Sequence, residues 1–157
     1  MPDFPSPRLV LDTNTVMALW FFEDPQLAHL RDAIEHRALP LLARADTLEE
    51  LRRVLAYRQF GASPERQRDI LDAYMARVTT IADRGDAPDG DGAASLAALP
   101  TCRDRDDQKF LEVAREGSAS HLISRDKALL KLNRHRLVRG FFAVVTPEAF
   151  ARAVGTD

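Results

Sequence analysis

Short apolar runs and stretches of helical periodicity alternate along the chain. The runs Arg8–Leu11, Ala38–Ala43, His121–Ser124 and Phe141–Val145 predict buried strands. Between and after them, apolar residues recur at spacings of three and four. Leu27, Leu30 and Ile34 place a helix over Pro25–Arg37, and Leu48, Leu51 and Leu55 place another over Thr47–Tyr57. Ser63 before Pro64 opens a third, continuing through Ile70, Leu71, Tyr74 and Val78. Asp107–Glu116 is a fourth, closed by Gly117. Thr146-Pro147-Glu148 starts a last short helix with an N-cap and a proline in the first helical position. Strands separated by helices predict an α/β fold with a mainly parallel sheet. Asp83–Thr101 reads as a surface loop, and its acids lack the spacing and closing Glu of a calcium loop.

A length of 157 residues suits one domain over 1–157, with 45% apolar and 29% charged residues arguing against wholesale disorder. A net charge of −2 identifies no partner, because near-neutrality can hide an acidic pocket beside a basic face. Cys102 is the sole cysteine, which excludes an intramolecular disulfide and a cysteine-based zinc cage. The start of the chain lacks the regions of a signal peptide, and the longest strongly apolar run, Val16–Phe22, is too short to cross a bilayer. These features predict a cytoplasmic protein without a membrane partner. Nearly all cations are arginine, the lysines being Lys109, Lys127 and Lys131.

The acids carry more information through their position. Asp12 ends the run Arg-Leu-Val-Leu-Asp, Asp46 and Glu50 follow Ala-Leu-Pro-Leu-Leu-Ala, and Asp126 follows His-Leu-Ile-Ser-Arg. In an open parallel sheet the carboxyl ends of the strands share one edge, where ligands bind. Acids distant in sequence then converge, and their mutual repulsion calls for a hard divalent cation. Each Asp taken alone could equally be a helix N-cap. Helical phase puts Glu50 at the margin of the Leu48/Leu51/Leu55 stripe and Glu49 toward solvent. Phase does not separate Asp104, Asp106 and Asp107 in the cluster Arg-Asp-Arg-Asp-Asp.

Leu-Asp-Thr-Asn at 11–14, Leu-Glu-Glu-Leu at 48–51, Cys-Arg-Asp-Arg-Asp-Asp-Gln-Lys-Phe-Leu at 102–111 and Leu-Ile-Ser-Arg-Asp at 122–126 resemble, in order, the motifs of PIN domains. Val-Val-Thr-Pro-Glu-Ala-Phe at 144–150 is similar to that family's last strand and helix. The likeness is to the toxin components of toxin–antitoxin systems. It implies a three-layer α/β/α sandwich and a nuclease dependent on Mg2+ or Mn2+. Asp12, Glu50, Asp107 and Asp126 match the catalytic, metal-binding acids, and Asp104 matches a further metal-binding acid. Thr13, Asn14 and Ser124 match polar residues near the metal. RNA as substrate, capture by a protein antitoxin and a homodimer are the implied partners. Arg105 stands where the motif has Pro and Gln108 where it has Asp, and Ser63–Thr101 is longer than in compact members.

Other catalytic signatures are missing: the chain has no Gly-x-Ser-x-Gly elbow, Walker loop or Gly-x-Gly-x-x-Gly, and its histidines lack metal-ligand spacing. Arg125, just before the fourth acid, and Lys127, Lys131, Arg134 and Arg136 after it are candidate contacts to a nucleic-acid backbone, or else a solvated helix face. Trp20-Phe21-Phe22 suits a core or a dimer interface better than base stacking. Two function classes follow: a metal-dependent endoribonuclease, and a noncatalytic PIN-like module that binds RNA or protein. Retention of all the core acids favours the enzyme.

Overall fold

The computed structural model describes residues 7–36, 39–82 and 99–154. Strand β1, Leu9–Leu11, sends its side chains alternately to two cores, as the two-residue repeat of a strand requires. Leu9 and Leu11 enter one core with Leu41 and Ile123, while Val10 enters the other with Leu42, Leu122 and Val144. The sheet has the order β3-β2-β1-β4-β5, with every pairing parallel. Here β2 is Leu41–Ala43, β3 Val78–Thr80, β4 His121–Ile123 and β5 Ala143–Val145.

Helices cover both faces and complete the expected three layers. On the first face lie α1 (Thr13–Val16), the π-helical turn Met17–Phe21, α2 (Ala28–His36), α3 (Ala45–Leu55) and α4 (Pro64–Met75). On the second lie α5 (Gln108–Glu116), α6 (Lys127–Leu130) and α7 (Arg136–Arg139), while α8 (Pro147–Val154) returns to the first through Phe150. The chain leaves β1 toward β2 over one face and reaches β4, on the other side of β1, over the opposite face. The carboxyl ends of β1 and β4 therefore form a topological switch point, the place where such sheets bind ligands.

The structure corrects several expectations. Val78 belongs to β3: α4 ends at Met75, and β-branched Val78-Thr79-Thr80 pair with the open edge of β2. With Thr79 and Thr80 exposed on an edge strand, no apolar run marks it. The basic stretch is not one helix face, because α6, a 3₁₀ turn at Lys131–Arg134 and α7 divide it. In the apolar run, Val16–Leu19 is buried, Trp20 and Phe21 are half-buried and Phe22 is exposed. Gly117 does close α5, by close approach and not by a left-handed turn. A Cβ there would meet Leu42 Cδ1 at 2.8 Å, while the positive φ of 54° falls on Ser118. Residues 83–98 of the expected loop, with Arg37 and Ala38 of the expected helix and strand, lie outside the described residues.

Candidate active site

Asp12 follows β1 and is buried. Its Oδ1 accepts hydrogen bonds from the Thr15 backbone N–H at 2.9 Å and the Thr15 hydroxyl at 2.5 Å, capping α1. Its Oδ2 accepts from the Ser124 hydroxyl at 2.5 Å. Burial pushes the Asp12 carboxyl above its usual range, opposed by the donors on Ser124 and Thr15. Ser124, fully buried after β4, also accepts the Asp126 backbone N–H at 2.9 Å. One hydroxyl thus joins the first and last acids of the edge.

Asp126 caps α6, its Oδ1 accepting the N–H of Ala128 at 2.7 Å. Asp104 caps the 3₁₀ turn Arg105–Asp107 by accepting the Asp106 N–H at 3.0 Å. Asp107 ends that turn. The two roles of these acids, cap and site, are compatible: a cap uses one oxygen and leaves the other for the cleft. One oxygen from each of Asp104, Asp107 and Asp126 lies within 4.8 Å of the others. Among the described residues, Asp107 Oδ2 is buried with no hydrogen-bond partner. Burial first, then a proton shared with Asp126, then the charges of Asp126, Asp104 and Asp12 push the Asp107 carboxyl up to about 7.

This acid edge lies on a chain whose residues 8–128 match the PIN domain family. The chain belongs to that family. PIN domains are nuclease-type folds, and PIN nucleases typically use divalent metals. Among solved structures, the crystal structure of PAE2754 from Pyrobaculum aerophilum is similar, with a TM-score of 0.61, over 97% of this chain and 92% of that one. At 17% identity the likeness shows the fold alone. A comparison with curated proteins found no match.

The donor set of this PIN domain fits a hard cation. It is all carboxylate, crowded, and includes a buried oxygen that no donor among the described residues satisfies. Glu50 stands apart from the three clustered aspartates. Its Oε1 lies 2.7 Å from Lys109 Nζ, and its Oε2 accepts a hydrogen bond from the Thr13 hydroxyl. Thr13 is buried and Asn14 is exposed. Glu49 pairs with exposed Arg52 at the surface, as its helical phase predicts.

Arg125 is committed elsewhere, donating to Glu148 Oε1 at 2.7 Å and to Asp24 Oδ2 at 3.0 Å. Lys127, Lys131, Arg134 and Arg136 are exposed, and among the described residues none of them forms an ion pair. Three contributors are not evident from the sequence motifs. Thr15 stands three residues after Asp12, a capping spacing that is legible. Lys109 carries no signal beyond being one of few lysines. Arg44 is buried with its charge met by Asp46, Glu112 and Glu116 at 2.8, 2.9 and 3.2 Å, tying α3 to α5. That contact claims Asp46, whose carboxyl Arg44 holds below its usual range.

Proposed function

We propose that this PIN domain, acting as a single domain in the cytoplasm, is a Mg2+- or Mn2+-dependent endoribonuclease and the toxin of a toxin–antitoxin pair. The observation that carries the reading is Asp107 Oδ2, a buried acid oxygen without a partner inside the Asp104/Asp107/Asp126 group. Those three aspartates would hold the cation, with Asp12 behind them through Ser124 and Glu50 flanking with Thr13. A bound divalent ion lowers the pKa of water and offsets negative charge gathering on a phosphate. The chain's own part is to orient: Ser124 bonds the Asp12 carboxylate and the Asp126 backbone, and helix-cap hydrogen bonds hold the carboxylates of Asp12, Asp104 and Asp126. Lys127, Lys131, Arg134 and Arg136 lie just past Asp126 and would take the backbone phosphates of RNA.

Water is the attacking group in this reading, since a cation held by the clustered carboxylates would activate it. Products then carry 5′-phosphate and 3′-hydroxyl ends, and a single 2′-deoxy nucleotide at the cleavage site is still cut. The test is RNA cleavage with manganese, a chelator control and Asp107→Asn. Cleavage that persists in chelator, or yields cyclic phosphates, rules the reading out. RNA bound under manganese but never cut leaves the noncatalytic module.

For assembly, Phe22 is 58% exposed and stacks edge-on with Phe21 and Phe60, beside exposed Tyr57. This aromatic cluster supports a homodimer or antitoxin contact. No helix among the described residues is long and apolar enough to cross a membrane. Light scattering that reports a monomer at every concentration excludes the dimer.

A further inference from the structure

Lys109 stands two residues after Asp107, in the first turn of α5, with its ammonium 2.7 Å from Glu50 Oε1. Both side chains are largely withdrawn from solvent, 17% exposed for Lys109 and 18% for Glu50. The other oxygen of Glu50 is met by the Thr13 hydroxyl. Glu50 thus has both carboxylate oxygens engaged, and neither belongs to the aspartate oxygens gathered within 4.8 Å. Among the described residues, no other lysine or arginine forms an ion pair with Asp12, Glu50, Asp104, Asp107 or Asp126.

The acids of the edge therefore fall into two kinds. Asp107 has an oxygen without a partner, so its environment improves when a cation arrives. Glu50 already has a cation, delivered by the polypeptide itself. The ammonium lies 5.6 Å from the Phe110 ring centre, a second contact that restrains the lysine. A divalent ion that recruited Glu50 would first have to break a part-buried ion pair and strand the ammonium, which is costly. We infer that Lys109 is a positioning residue that reserves Glu50 and limits the site to one divalent cation, held by Asp104, Asp107 and Asp126. The inference rests on the cation-dependent reading above.

Calorimetric titration of manganese into the full chain, with native mass spectrometry, reads the number of ions bound without any substrate. Wild type and Lys109→Arg bind one ion. Lys109→Met keeps the aliphatic stem over Phe110 but frees Glu50, and gains a second ion. Combining it with Glu50→Gln removes that second ion again. Circular dichroism checks folding, and Lys109→Gln repeats the experiment with a polar replacement. Glu50→Gln alone still binds one ion, an arm that does not depend on the lysine variants folding. Two ions in wild type, one ion in folded Lys109→Met and Lys109→Gln, or no ion in folded Glu50→Gln each overturns the inference. No ion in wild type rejects the proposed function itself, a result distinct from any of these.

Discussion

The Ser124 hydroxyl donates a hydrogen bond to Asp12 Oδ2 at 2.5 Å across 112 positions of sequence, joining the ends of the two strands that flank the topological switch. Ser124→Ala leaves that buried oxygen without its donor and costs about 1–3 kcal/mol of stability. It also pushes the Asp12 carboxyl further up, because the Ser124 bond is the strongest influence holding it down. Urea denaturation measures the first effect. Manganese titration of the folded variant measures the second, as weaker binding at neutral pH than at alkaline pH.

Stability falls as pH rises through the range in which Asp107 ionises. Its carboxyl is pushed up to about 7 from an ordinary 3.8, and burial moves Asp12 in the same direction. Between those values the native state holds a proton that the unfolded chain releases. The contribution is full below the unfolded value and lost as pH passes the folded one. Urea midpoints collected from about pH 5 to about pH 8 without divalent ions decline accordingly. Asp107→Asn removes most of the decline, and saturating manganese flattens it because the cation replaces the proton. A midpoint that climbs across the same window contradicts this account of the cluster.

Arg44 is a structural anchor whose loss is felt in the fold. Arg44→Met deletes a buried charge and leaves Asp46, Glu112 and Glu116 without it. Removing one partner of a buried ion pair costs about 3–5 kcal/mol, and the low end applies because all three acids keep some exposure. The Asp46 carboxyl returns toward its usual range. Thermal melts detect the first effect, and NMR titration of Asp46 detects the second.

The five basic residues proposed as candidate contacts separate into two groups. Replacing Lys127, Lys131, Arg134 and Arg136 with Ala weakens RNA binding and lowers the salt dependence of log K by about 0.7 for each phosphate no longer neutralised. Arg125→Ala leaves that slope unchanged, because its guanidinium serves Asp24 and Glu148. It costs about 0–1 kcal/mol in stability, as expected of exposed pairs. Filter binding over a salt series distinguishes the two groups, and equal slopes for all variants would remove the basic stretch from the RNA interface.

Much of this was already written in the order of residues. The alternation of apolar runs with periodic stretches determined a parallel α/β sheet, because a strand buried on both faces needs a continuous apolar run and a helix needs a stripe. Parallel strands then obliged Asp12 and Asp126 to share an edge. Local rules also separated Glu49 from Glu50 and placed the caps at Ser63 and Thr146. Only tertiary structure decided the rest. β3 was invisible because Val78-Thr79-Thr80 become a strand by pairing with β2, and an exposed edge strand leaves no apolar mark. Phase along α5 could not choose among Asp104, Asp106 and Asp107, since the 3₁₀ turn at Arg105–Asp107 precedes the helix and does not share its period. Packing decided the partner of Glu50, Lys109 at a separation of 59 residues, and brought Glu112 and Glu116 to Arg44 across 68 and 72 residues. The physical reason is reach: the backbone pattern places a Cα, but a long charged side chain takes its partner from whatever the packing of two helices brings within about 4 Å.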